Sequence, residues 1–159
     1  MALTIRRASK EDTALVLEFI IKLAEFEKLF DEVEASEAQI EAALFCDDPK
    51  VFCDIAEVNG RPAGFALWFY TFSTFQGKHG IWLEDLYVEP GVRGNGIGKA
   101  LLTHLAKRCV DEGLGRLSWW VLNWNEHAID FYKAHGAVLH DEWTTCRVSG
   151  PELEALAKG

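Results

Sequence analysis

The sequence predicts a mixed α/β sheet protein of order βααβββαβαβ, on three observations. Stretches that alternate apolar and polar residues are interleaved with stretches whose apolar residues recur at helical spacing. Asn59-Gly60 stands between two of the alternating stretches, a strong signal for a two-residue hairpin. A glycine-rich turn and a helix follow the third strand of that meander, so the crossover sets the next strand parallel to it.

Leu3 to Arg7 alternates as a short strand does. Ser9, with Asp12 three residues on, resembles an N-cap leading into Leu15, Phe19, Ile20 and Leu23, and a second helix starts near Ser36 with Ile40, Ala43 and Leu44 on its buried side. Val51 to Val58 and Ala63 to Phe72 flank the hairpin, and Ile81 to Val88 follows a loop at 77 to 80. The next helix carries Ile97, Leu101, Leu102 and Leu105, and Gly113 and Gly115 end it. Leu117 to Leu122 reads as the parallel strand, Asn125 as the cap of a helix through Lys133 that stops at Gly136, and Trp143 to Val148 as a last strand. No linker, repeat or low-complexity tract interrupts residues 1–159, which read as one domain.

The net charge of -9 is unevenly spread. Residues 25–48 hold nine acids against Lys28 alone, which leaves the rest of the chain nearly neutral. No basic cluster is present to neutralise phosphates, so nucleic acid is not an expected partner. The acidic block reads either as a solvated helix face or as a field that attracts a cationic small molecule. The longest uncharged stretch, Pro62 to Gln76, is shorter than the roughly 20 residues of a membrane helix and is rich in strand-forming aromatics, so no membrane partner is expected. Cys46, Cys53, Cys109 and Cys146 form no CxxC pair, and no signal peptide is visible, which points to reduced thiols in a cytoplasmic protein. The five histidines show no metal spacing, and no metal site is expected.

Val88 to Lys99 runs strand, turn, helix start, with Gly94, Gly96 and Gly98 inside five residues. Small residues there let backbone N–H groups approach an anion, and the helix N-terminus adds unsatisfied donors. The same turn could instead be structural only. A Walker loop ending at Gly98-Lys99 would need Gly at Arg93 and Ser or Thr at Ala100, and a dinucleotide fingerprint starting at Gly94 would need Gly at Lys99. Neither fits.

Arg93-Gly94-Asn95-Gly96-Ile97-Gly98 resembles the Arg/Gln-x-x-Gly-x-Gly/Ala signature of the GNAT superfamily of acetyl-coenzyme A dependent N-acetyltransferases. Residues 23–29 (LAEFEKL), 83–88 (LEDLYV) and 124–133 (WNEHAIDFYK) resemble its diamine acetyltransferase subgroup, with thialysine acetyltransferase-like proteins the nearest branch. The likeness covers nearly the whole chain. It implies a mostly antiparallel central sheet with helices on both faces and a homodimer. It also implies that the backbone of Arg93, Gly94, Asn95, Gly96, Ile97, Gly98 and Lys99 holds the coenzyme pyrophosphate, that Leu86, Tyr87 and Val88 pair with the pantetheine arm, and that Asn125 supports the cofactor.

Acetyl transfer from a thioester to an amine sets two proton problems. An alkyl ammonium, with a pKa of about 10.4 like that of Lys, must lose a proton before attack, and the departing thiol, near 8.5 for a cysteine-like group, is helped by a donor. The resemblance assigns that donation to Tyr132, in contact with the coenzyme; from spacing alone, Ile129 and Tyr132 could simply pack a helix on the sheet. Glu84 and Asp85 are neighbours on a strand, so without a bulge their side chains face opposite sides, and either is costly inside a core-type strand unless paired. The resemblance favours Glu84 for relaying the amine proton, through water, and for contacting the amine.

For the acceptor the resemblance points to Phe26 for the alkyl chain and Glu27 for the ammonium; a solvated helix residue is the alternative for Glu27. Ser73 and Phe75 lie in a loop where polyamine-specific relatives carry an acid at the position of Ser73, so its absence points to a lysine-like amine such as thialysine rather than spermidine. Phe75 stands where those relatives have Trp. Acetylation of a protein lysine or N-terminus, and a coenzyme A binding module without catalysis, are the alternatives to small-amine transfer.

Overall fold

The computed structural model describes residues 1–159, and the chain divides into two compact units, Met1–Trp120 and Val121–Gly159. The first unit is built on one sheet in the order β1-β2-β3-β4-β5. Its strands are β1 (Leu3–Arg7), β2 (Phe52–Val58), β3 (Arg61–Ser73), β4 (Lys78–Val88) and β5 (Leu117–Ser118), with helices α1 (Thr13–Phe26), α2 (Glu37–Leu44) and α3 (Ile97–Asp111). The first four strands pair antiparallel and β5 pairs parallel to β4, as the helical crossover requires. The predicted class, a mixed and mostly antiparallel sheet, is the one observed.

Local chemistry accounts for most boundaries. Ser9 and Asp12 form a capping box on a short 3-10 turn that precedes α1, and Ser36 Oγ accepts the Gln39 amide to start α2. Asn59 and Gly60 adopt φ of 52° and 77°, the left-handed pair that matches the twist of a two-residue hairpin. The α1 helix stops in a Schellman turn in which Leu29 N donates to Ala24 O at 2.8 Å, with Lys28 rather than glycine at a φ of 62°.

Alternation along the strands separates two cores. Cys53, Ile55, Phe65, Leu67 and Tyr87 pack with Val16 and Phe19 of α1 and Leu44 of α2; the Phe19 ring lies 5.4 Å from Phe65 and 5.7 Å from Tyr87. The opposite parity buries Ala66, Trp68, Ile81 and Leu83 on the side where α3 contributes Ile97, Leu101 and Leu105. Helices thus cover both faces. Within the α3 side sits one buried carboxylate. Asp54 accepts Trp68 Nε1 at 2.8 Å and Arg7 Nε at 3.1 Å, with His104 Nε2 3.6 Å away.

Two expectations need correction. The strand expected at Leu117 to Leu122 is only Leu117–Ser118, because β4 bulges at Glu84 and pairs with β5 only through Ile81 and Trp82, ahead of that bulge. In the second unit, α4 (Glu126–Ala134) begins at its Asn125 cap as expected, but Trp143 to Val148 is not a strand, and a helix α5 (Gly150–Lys158) follows instead. A strand needs a backbone partner, and the ladder of five strands includes none from that segment. The start of α5 carries its own signals, Ser149 at the N-cap with Pro in the first turn.

Asp54→Ala should lower stability by about 3 kcal/mol, because it strands a buried indole N–H and a guanidinium. Trp68→Phe removes the donor and part of a fully buried ring system, and should cost at least about 1 kcal/mol. Urea unfolding midpoints of the two variants check this.

Candidate active site

The site residues of the first unit gather around the second half of β4. β5 pairs only with Ile81 and Trp82, so β4 from Leu83 to Val88 has β3 on one edge and no strand on the other. Glu89 N donates to Ala63 O at 2.8 Å, which directs the backbone groups of Glu89 towards β3. Those of Val88 and Leu86 therefore point to the open edge. Val88 O there accepts Arg93 Nε at 2.9 Å.

The chain then turns through Pro90–Val92 into Gly94 and Gly96, at φ of 84° and 75°. Left-handed backbone at both positions requires glycine, since a side chain would be strained there. Gly96 is the N-cap of α3 and supplies no capping side chain, so the first amides of the helix, from Ile97 to Lys99, lack an intrahelical acceptor. Asn95 Nδ2 donates to Val92 O at 2.9 Å and braces the turn from within. A backbone donor set at a helix start, with no side chain crowding Gly94 or Gly96, fits an anionic diphosphate.

The carboxylates stand at a β-bulge. Leu67 pairs with Asp85 and Trp68 with Leu83, so Glu84 is the extra residue of β4. Leu67 and Tyr87 belong to the core under α1, and the register puts Asp85 on that same face. Burial, then Glu84, then Glu27 raise the Asp85 carboxyl to about 7. Glu84 accepts the Trp82 indole N–H at 3.1 Å, and burial pushes the Glu27 carboxyl up. Glu27 caps the end of α1, next to Phe26, whose ring lies 5.2 Å from the Arg93 guanidinium.

Phe26, Glu27, Glu84, Leu86 to Val88 and Arg93 to Lys99 are thus assembled by α1, β4 and the start of α3. Ser73 and Phe75 are elsewhere. Ser73 is buried and its Oγ accepts the Gln76 amide at 3.2 Å, shaping the β3–β4 turn, while Phe75 is fully exposed at the tip. Six residues of β3 separate Ser73 from the Leu67–Asp85 pair, roughly 20 Å at strand rise. In the second unit, Asn125 Oδ1 accepts the Ala128 amide at 3.3 Å and Tyr132 is half-buried on α4, its ring 5.5 Å from that of Phe131. No group of three or more His, Cys, Asp or Glu side chains is arranged to hold a metal ion, and no helix is long and apolar enough to cross a membrane.

Sequence reasoning passed over Asp85 as the group titrating near neutrality. Its signal was the adjacent pair of acids inside a core strand, and the missing step was the bulge that changes which face the second acid meets.

A strand edge opened next to a glycine turn at a helix start, with carboxylates on the adjoining face, suits a ligand that carries both an extended arm and an anionic group. Residues 17–137 match the Acetyltransferase (GNAT) family, and the chain belongs to that family. It is 37% identical to thialysine N-epsilon-acetyltransferase of Bos taurus, over 96% of both chains. L-ornithine N5-acetyltransferase NATA1 of Arabidopsis thaliana is 43% identical over 60% of this chain and 42% of its own length. Among solved structures, an integron cassette protein from the mobile metagenome of V. cholerae superposes with a TM-score of 0.82 at 31% identity, covering 100% of this chain and 99% of that one.

The raised Asp85 carboxyl has a stability consequence. The folded state holds its proton above the ordinary carboxylate range and the unfolded state does not, so stability falls as pH rises from about 4 through about 7. Asp85→Asn should therefore raise the melting temperature at pH 8 and leave it nearly unchanged at pH 4, as thermal melts at the two pH values will show.

Proposed function

We propose that residues 1–159 act as a single N-acetyltransferase domain that moves the acetyl group of acetyl-CoA to a primary amine of a small cationic molecule, by direct transfer in a ternary complex. The observation that carries this reading is the carboxylate set Glu27, Glu84 and Asp85 at the bulged, open stretch of β4, next to a backbone anion cradle. The nearly neutral remainder of the chain allows an anionic coenzyme, and the acidic segment that begins at Phe26 and Glu27 attracts the amine.

Acetyl-CoA would supply an activated acetyl thioester. The amides from Arg93 to Lys99 would hold its pyrophosphate, the outward-facing backbone of Leu86 and Val88 its pantetheine arm, with the Tyr87 backbone directed instead to β3, and Asn125 would support it. Phe26 lines the alkyl chain of the amine and Glu27 its charge. A carboxylate of β4 takes the ammonium proton, directly or through water. Asp85, near 7, is closer to the ideal pKa for that task than an ordinary Glu, while Glu84 holds the amine nitrogen and keeps its neighbour poised. Tyr132 donates a proton to the departing sulfur as the new C–N bond replaces the C–S bond, and the second proton that the nitrogen sheds on becoming an amide restores the phenol through solvent.

A lysine-like acceptor is favoured over a polyamine, since thialysine acetyltransferases are similar along nearly the full chain. A cytoplasmic location accords with four cysteines outside any disulfide. The working assembly is a homodimer, and sedimentation showing a 17.9 kDa monomer at micromolar concentration would remove that part.

A thiol-release assay with thialysine, lysine, ornithine and spermidine tests the reading. Thialysine should be used best, and no release with any amine would overturn the proposal. Tyr132→Phe should lower kcat by at least about 100-fold. The kcat/KM of the wild type should rise as pH passes about 7 and the Asp85 proton is lost, and Asp85→Asn should abolish that limb of the profile. Glu27→Gln should raise the amine KM and leave the coenzyme dissociation constant nearly unchanged.

A further inference from the structure

Arg93 touches three parts of the site at once. Its Nε donates to Val88 O at 2.9 Å, and its guanidinium carbon lies 5.2 Å from the Phe26 ring centre and 5.8 Å from that of Tyr87. Val88 O faces the open edge of β4, Phe26 ends α1, and Tyr87 lies on the sheet face between them. The residue is exposed and is followed by Gly94 in a left-handed conformation, so neither packing nor a rigid backbone holds its side chain in this place. What holds it is one charge-assisted hydrogen bond and two cation–π contacts.

We propose that Arg93 is a displaceable latch, whose guanidinium competes with the pantetheine arm of the coenzyme for Val88 O and covers Phe26 while it does so. The inference rests on the coenzyme reading above and adds to it a side-chain role, separate from the backbone role of the same residue in the phosphate turn. Val88 O is one of two consecutive outward-facing positions on the open edge, and a strand-like ligand laid along that edge needs its carbonyl. The Arg93 guanidinium stands on the side from which such a ligand would donate. When it leaves Val88 O it also leaves Phe26, so occupation of the β4 edge uncovers an aromatic surface for the alkyl chain of the amine. Arg93 thereby acts as a positioning residue that couples the two halves of the site.

The competing role, a phosphate ligand, predicts the opposite sign. Isothermal titration of coenzyme A into wild type and Arg93→Met, at fixed salt, separates them, because Met keeps the length of the side chain and cannot donate to Val88 O. The latch predicts coenzyme A binding about five- to tenfold tighter in the variant, the size of one exposed charge-assisted hydrogen bond. Adenosine 3′,5′-bisphosphate, which has no pantetheine arm, should bind both proteins alike. Equal or weaker coenzyme A binding by the variant overturns the latch, and weaker adenosine bisphosphate binding marks a phosphate ligand instead. Failure of the wild type to bind coenzyme A is a different result, since it removes the coenzyme reading and the latch falls with it. Matched unfolding midpoints for the two proteins show that the comparison is between folded states.

Discussion

The site depends on one extra residue in β4. Glu84 has no partner on β3, and antiparallel pairing is intact on both sides of it, from Lys78 to Leu83 and from Asp85 to Val88. The long β3–β4 hairpin can carry such an irregularity because it is the most extensively paired element of the sheet. Two consequences follow from the bend that a bulge imposes. The strand leaves β5 after Trp82, which opens its edge up to Val88, and strict alternation fails between Leu83 and Asp85, which brings Asp85 onto the face under α1. A perfectly regular β4 would keep its edge closer to β5 and send adjacent carboxylates to opposite faces of the sheet.

Electrostatics then follow from placement. The end of α1 turns through Lys28 at positive φ, and this Schellman turn follows Glu27, whose charge acts on Asp85, and Phe26, whose ring faces Arg93. Burial and mutual repulsion favour the protonated form of Asp85 near neutrality, whereas Asp12, hydrogen-bonded by the Arg6 guanidinium, is held down at about 2. The same residue type thus serves as a fixed charge in one place and a proton carrier in another. Lys22 ties α1 to Glu89 just beyond β4, so the helix that carries Phe26 is anchored to the strand whose edge is open.

Much of the fold could be read from local pattern. The Asn59-Gly60 hairpin, the Ser36 and Asn125 caps, the apolar stripe of α3 and the parallel sense of β5 rest on signals that act over a few residues or on chain connectivity. Trp143 to Val148 failed as a strand because β-forming composition does not create a pairing partner, and β5 is short because β4 bends away from it. Ser73 shows the same limit at the level of function: its hydroxyl is engaged in the β3–β4 turn, at the far end of β3 from the carboxylates.

The sequence by itself determined the order of secondary structure through β5 and α4, the glycine turn at the start of α3, the family and the candidate residues on β4 and α1. Each of these is encoded in short-range spacing, capping chemistry or a contiguous motif. Only the tertiary structure decided that Glu84 sits in a bulge, that burial raises the Asp85 carboxyl to about 7, and that Arg93 lies on Val88 O against Phe26. Register, desolvation and stacking are set by residues far apart in the chain, such as Leu67 with Asp85 and Phe26 with Arg93, and local pattern carries no information about which of them meet.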